Sequence, residues 1–216
     1  MPEPTFDRPL RADAAVHALG LLLGIVGAVA MVIVAAQSPG QGRMAAVLVY
    51  VAGLLAMLGC SAAYNLRIAH PDVTGPSREW LRRLDHAAIF VMIAGTYTPL
   101  TVLKLREPWS SGLTAVMWCM AALGIAAKLL QPRRIESLSV LLYLLMGWIG
   151  VLAIDELLAS VEPTTLLLLL AGGVVYSLGT IFHLSSRLRY QRALWHASVL
   201  LAASIHYVAI LLLLTR

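Results

Sequence analysis

A chain of 216 residues that is 60% hydrophobic and only 12% charged, with a mean hydropathy of +0.83, falls outside the range of soluble domains and reads as a polytopic membrane protein. Its formal net charge of +5 is no nucleic-acid signal, because the basic residues follow a membrane pattern rather than forming one patch. A primary pump, an electron carrier and a retinal protein are disfavoured: there is no phosphate-binding loop, no haem or cluster spacing, and Lys104 and Lys128 lie near span ends.

Reading for apolar runs long enough to cross a bilayer gives seven spans at about 14–36, 44–66, 84–103, 112–130, 137–154, 165–186 and 193–214. The expected fold is therefore all-α, a seven-transmembrane-helix bundle in one domain, 14–216, after an N-terminal segment, 1–13, expected as a disordered or surface-lying lead. The first stretch is long and followed by six more, so it reads as a retained helix and not a cleaved signal peptide. The lead and the second, fourth and sixth connections hold most of the basic residues, among them Arg67, Arg78, Arg82, Arg83, Arg133, Arg134, Arg187, Arg189 and Arg192. By the positive-inside rule that side is cytoplasmic, with the N-terminus inside and the C-terminus outside. A strong bias to Arg over Lys suggests a GC-rich bacterial genome, and hence the bacterial inner membrane.

In the first span, Asp13 and His17 lie four apart and share a helical face; an N-terminal cap is the simpler reading of Asp13. The second ends CSAAYNL, where Ser61 and Asn65 are again four apart and can be interhelical glue. Cys60 and Cys119 fall inside spans and read as small packing residues without a disulfide. The basic connection 67–83, interrupted by Pro71, Gly75 and Pro76, reads as a loop leading into the third span, LDHAAIFVMIAGTYTP. That span opens with Asp85 and His86. An intramembrane carboxylate is expensive, about 2.5–3.5 kcal/mol at the bilayer centre on insertion scales, and calls for a partner. Pro99 is expected to kink or end this helix.

Trp118, Tyr143 and Trp148 read as core or belt aromatics. In the sixth span Gly172, Gly173 and Gly179 allow close helix approach, and His183 follows at its end. The seventh places Arg192 and His196 four apart, with His206 in a deeper layer. Ser61, Asn65, Asp85, His86, His183, Arg192 and His196 thus all fall at helix ends on one side. Five of the six histidines, all but His206, lie there too. Polar groups at one depth imply a pocket open to the cytoplasm, which can hold a metal, a lipid headgroup or a buried salt bridge.

The stretches LRRLDHAAIFVMIAGTYTP, SAAYN, GGVVYSLG and ALWHASVLLAASIHY, spread in order over nearly the whole chain, resemble the hemolysin III family, the bacterial branch of the progestin and adipoQ receptors. That resemblance implies a seven-helix bundle with the N-terminus inside. It also implies a zinc ion near the cytoplasmic face, held by a histidine ending the second helix and two histidines four apart in the seventh. An aspartate opening the third helix would orient a zinc-bound water. Carried onto this chain, Asp85, Ser61 and His196 fit, whereas Asn65 and Arg192 stand at the other two ligand positions. An amide is a poor zinc ligand and a guanidinium cannot ligate, so no cofactor is expected.

Three readings of the polar groups follow. Arg192 can take the metal's place against Asp85, with Asn65 and His196 completing the network. Alternatively, Arg192 snorkels to the interface and Asp85 pairs with Arg82 or Arg83. In the third, His17, His86, His183 and His196 supply other ligands to a metal.

The expected function is a non-enzymatic role in membrane-lipid homeostasis or sensing, with membrane lipids as partners, no nucleic acid and no identifiable protein partner. The alternative is a metal-dependent hydrolase of lipid amides or esters, with Asp85 as general base and Ser61 as orienter. A pore-forming haemolysin is a third reading, and no continuous polar stripe supports it.

Overall fold

The structure, a computed structural model, describes residues 8–37, 40–68, 75–130, 136–185 and 187–215. Among the described residues, seven helical spans are long and apolar enough to cross a membrane. They are built from α1 (Arg8–Gln37), α2 (Arg43–Ile68), α3 (Pro76–Lys104), α4 (Trp109–Leu130), α5 (Glu136–Trp148), α6 (Ile154–Ser160), α7 (Pro163–Leu184) and α8 (Gln191–Thr215). The fifth span is composite, because a 3-10 segment, Ile149–Ala153, joins α5 to α6. Leucines and valines on the outer faces, such as Leu22, Leu123, Leu152 and Leu167, remain exposed, as lipid-facing side chains should.

Four boundaries differ from the sequence reading, and the first is the end of the fifth span, which runs to Ser160 rather than to the expected 154. α1 starts at Arg8, so Asp13 sits inside the helix rather than at its cap; residues 1–7 lie outside the described residues, as do Pro71, Arg133 and Arg134. α3 starts eight residues before the expected 84, at Pro76. Its ring pre-sets the first helical φ, and Gly75, at φ 66°, turns the chain into it. The charged run Arg78–Arg83 is therefore helix, carrying an i,i+3 and i,i+4 fork in which Arg82 and Arg83 both reach Glu79 at 2.9 and 3.3 Å.

Pro99, finally, does not end α3. Threonine hydroxyls bond back to the ladder around it, Thr96 to the Met92 carbonyl and Thr98 to the Ala94 carbonyl, at 2.8 and 2.9 Å. Such bonds help satisfy a proline-interrupted helix in a membrane.

α3 is the interior helix. It packs on α2, α4, α5 and α8, and 61% of its span is buried, against 17% in the fifth and sixth spans. Close approach to α2 needs glycine at both contact points: a Cβ on Gly53 would lie 3.1 Å from the Val91 carbonyl, and one on Gly95 3.3 Å from the Val49 carbonyl.

Successive spans alternate in direction, so the starts of α1, α3, α5 and α8 share one end with the finishes of α2, α4 and α7. At the opposite end Arg43 caps the Leu214 carbonyl at 2.5 Å, and Arg106 meets Glu156 at 3.2 Å. The fifth span breaks where Tyr97 of α3 intrudes. Its hydroxyl donates to the Gly147 carbonyl at 2.9 Å and accepts the Gly150 amide at 3.0 Å, absorbing groups that a continuous ladder would use.

Candidate functional site

The polar end of the bundle carries two linked clusters. In the first, α1 and α8 meet: the His196 Nδ1–H donates to Asp13 Oδ1 at 2.6 Å. His17, one turn above Asp13, lies 3.8 Å from the same oxygen. The two imidazoles stack obliquely, with centroids 4.4 Å apart. Asp13 and His17 are both buried, and the His17 Nε2 has no hydrogen-bond partner among the described residues. An unpaired buried nitrogen of this kind is uncommon and calls for a reason.

In the second cluster, α2, α3, α4 and α5 meet. Asp85 is buried, with the Ser61 side chain beside it. Asn65, also buried, donates to the Ser61 carbonyl at 3.0 Å and contacts its hydroxyl at 3.4 Å. His86 Nδ1 stands 3.2 Å from the Nζ of Lys128, a side chain only 1% exposed. The Tyr143 hydroxyl donates to the His86 carbonyl at 2.9 Å. Electrostatic range joins the clusters, since Asp85 feels both His196 and Asp13.

Of the residues singled out from sequence, Asp13, His17 and His196 come together, as do Ser61, Asn65 and Asp85. The arginine pairings take other forms. Arg192 is exposed, and among the described residues Asp85 forms no ion pair with it or with Arg82 or Arg83. Instead Arg82 and Arg83 go to Glu79, and Arg83 also caps the Leu129 carbonyl at 2.8 Å. Arg192 stays at the rim, close enough for its charge to act on Asp13 and His17. The physical reason is side-chain reach at the helix end. Arg192 and His196 share a face, but the shorter imidazole reaches inward while the long guanidinium remains hydrated. His183 is exposed against Trp195, centroids 4.9 Å apart, on the wall of the cavity described below and close enough to act electrostatically on His86.

Lys128 is the functional candidate that a span-end reading underrates. Its signal was present, since a lone ammonium in the apolar run of α4 needs a polar neighbour. Tyr143, one of the expected core or belt aromatics, packs on the Phe90 ring, centroids 4.6 Å apart, and bonds the His86 carbonyl. His206 does occupy a separate layer, with Nε2 3.1 Å from the Leu169 carbonyl and its ring packed over Gly172.

Both clusters face a cavity of about 910 Å³ bounded by all the spans. His17, Asn65, Asp85, His86, Lys128 and His196 gather at one end, while Trp148, Leu157, Leu166 and Leu169 line the far reach. The zinc set that the resemblance implies does not fit these residues. Asn65 is engaged within its own helix and Arg192 cannot ligate, so His196 alone would remain.

The family is settled by comparison with known proteins. A family model described as Haemolysin-III related matches residues 11–207. The chain is 34% identical to the Hemolysin-3 of Bacillus cereus over 200 residues, covering 93% of this chain and 89% of that one. It is 33% identical to a Hemolysin-3 homolog of Bacillus subtilis (strain 168) over 189 residues, 88% and 86% of the two chains. A human relative, monocyte to macrophage differentiation factor, is 29% identical over 164 residues, 75% of this chain and 67% of its own. The shared span covers both polar clusters and the cavity, and the chain belongs to the haemolysin-III-related family of integral membrane proteins.

Proposed function

We propose that this protein acts without catalysis in membrane-lipid homeostasis, by taking a lipid acyl chain into its cavity. The cytoplasmic membrane of a bacterium is its place, with the polar end of the bundle facing the cytoplasm. The observation that carries this reading is the division of the cavity wall. A long apolar reach ends in a layer of Asp85, His86, Lys128 and His196, which matches an acyl chain below a polar headgroup. Apolar pockets with a few convergent polar groups are the usual form of small-ligand sites. The hydrolase alternative relies on the zinc set that Asn65 and Arg192 do not supply.

A cavity-filling substitution tests the reading. Leu144 lines the cavity, and Leu144→Trp would fill part of it. Cells producing the native chain should change the acyl composition of their membrane lipids, measured by mass spectrometry, and cells producing Leu144→Trp at equal levels should not. Identical lipid composition in cells with the native chain and cells with none would contradict the proposal.

A further inference from the structure

We propose that Asp13, His17 and His196 form a binding site for a divalent transition-metal ion of the zinc type, with ligands drawn from α1 and α8. The site shares only His196 with the positions implied by the family resemblance. One ligand atom from each of the three side chains lies within 4.8 Å of the others. A carboxylate oxygen and two imidazole nitrogens are the donor set such ions prefer, at about 2.0–2.2 Å each, with a fourth position open.

Three observations carry the assignment. His17 is 7% exposed, yet among the described residues its Nε2 has no hydrogen-bond partner, and it stands 3.8 Å from the Asp13 carboxylate. That distance is too long for a hydrogen bond and close to the edge of a ligand tetrahedron around an ion. The 2.6 Å bond between His196 and Asp13 holds the second imidazole on the same oxygen; an ion would replace its proton and open that contact by about an ångström. Finally, Asp13 and His17 lie one turn apart on a single helix. This i,i+4 arrangement presents two ligands on one face without strain.

Asp85 adds a second negative charge within electrostatic range of His196 and Asp13. Arg192 opposes it, because its guanidinium acts on Asp13 and His17 from the rim. The site thus predicts a sign that the family arrangement does not. Removing Arg192 should tighten binding, since like charges repel.

The test is zinc content and cobalt spectroscopy of the full chain in detergent, purified without chelator and equilibrated with zinc chloride or cobalt chloride. Native protein should hold about one zinc per chain, and Asp13→Asn and His17→Gln should each lose at least about ten-fold in affinity. Arg192→Gln should bind several-fold more tightly, and Asn65→Ala should bind as the native chain does. Cobalt should give visible absorption bands that shift in His17→Gln, a variant whose size-exclusion profile checks folding. Native protein that binds neither metal would overturn the assignment, as would zinc retained by Asp13→Asn and His17→Gln but lost by Asn65→Ala. The lipid reading fails or stands separately, because none of these measurements requires lipid.

Discussion

Asp13 and Asp85 are two buried carboxylates in different situations, and substitution should separate them. Asp13 accepts a hydrogen bond from His196 and lies against His17. In metal-free protein, Asp13→Ala leaves the His196 Nδ1–H without its acceptor and should lower unfolding stability by about 1–3 kcal/mol. Asp85 lies beside Ser61 with no arginine partner among the described residues. An amide keeps the shape of the carboxylate while removing a buried charge, so Asp85→Asn should change stability by no more than about 1 kcal/mol, or raise it. Thermal unfolding in one detergent checks both. A loss of about 3–5 kcal/mol for Asp85→Asn would instead reveal a buried ion pair. At this scale the residue types were legible in the sequence and their partners were not. The spacing of Asp13 and His17 announces a shared face, but which nitrogen comes within 2.6 Å of the carboxylate depends on the rotation of α8 against α1.

Between elements, the sharpest dependence is that of the fifth span on α3. Tyr97 holds both the Gly147 carbonyl and the Gly150 amide. Tyr97→Phe strands these two groups and should cost about 1–3 kcal/mol, with faster amide hydrogen exchange over 149–153 than over 140–146. Equal exchange in both stretches would show that the 3-10 segment does not need the tyrosine.

α7 and α8 depend on a small residue in the same way. A Cβ on Gly172 would collide with the His206 ring, so Gly172→Ala should displace that ring from the Leu169 carbonyl and destabilise by about 1–3 kcal/mol. Unfolding at an unchanged temperature would argue against the close approach. The presence of the spans was legible because each needs a long apolar run. The start of α3 was not, since Arg78–Arg83 lower the local hydropathy while the proline start signal at Pro76 sits in a stretch that otherwise resembles a loop. The break in the fifth span leaves no mark in its own sequence, because its cause lies on another helix.

Over the whole molecule, one end of the bundle gathers the buried ionisable groups, and an apolar cavity of about 910 Å³ runs away from them. The polar layer could be foreseen from the cost of burying charges, which must face one another or water. The cavity could not. It arises where α5 and α6 pack loosely against α3, α4 and α7, and the apolar stretch of the fifth span is only 17% buried. Loose packing on one side of a rigid interior helix leaves room for a chain-like ligand. The measurement that tests this account most directly is native mass spectrometry of the protein released from a mild detergent, beside Leu144→Trp. The native chain should carry an adduct with the mass of one membrane lipid or fatty acid, and the variant should fly without it. A native chain free of lipid under conditions that preserve its fold, or an adduct undiminished in Leu144→Trp, would contradict a lipid-holding cavity.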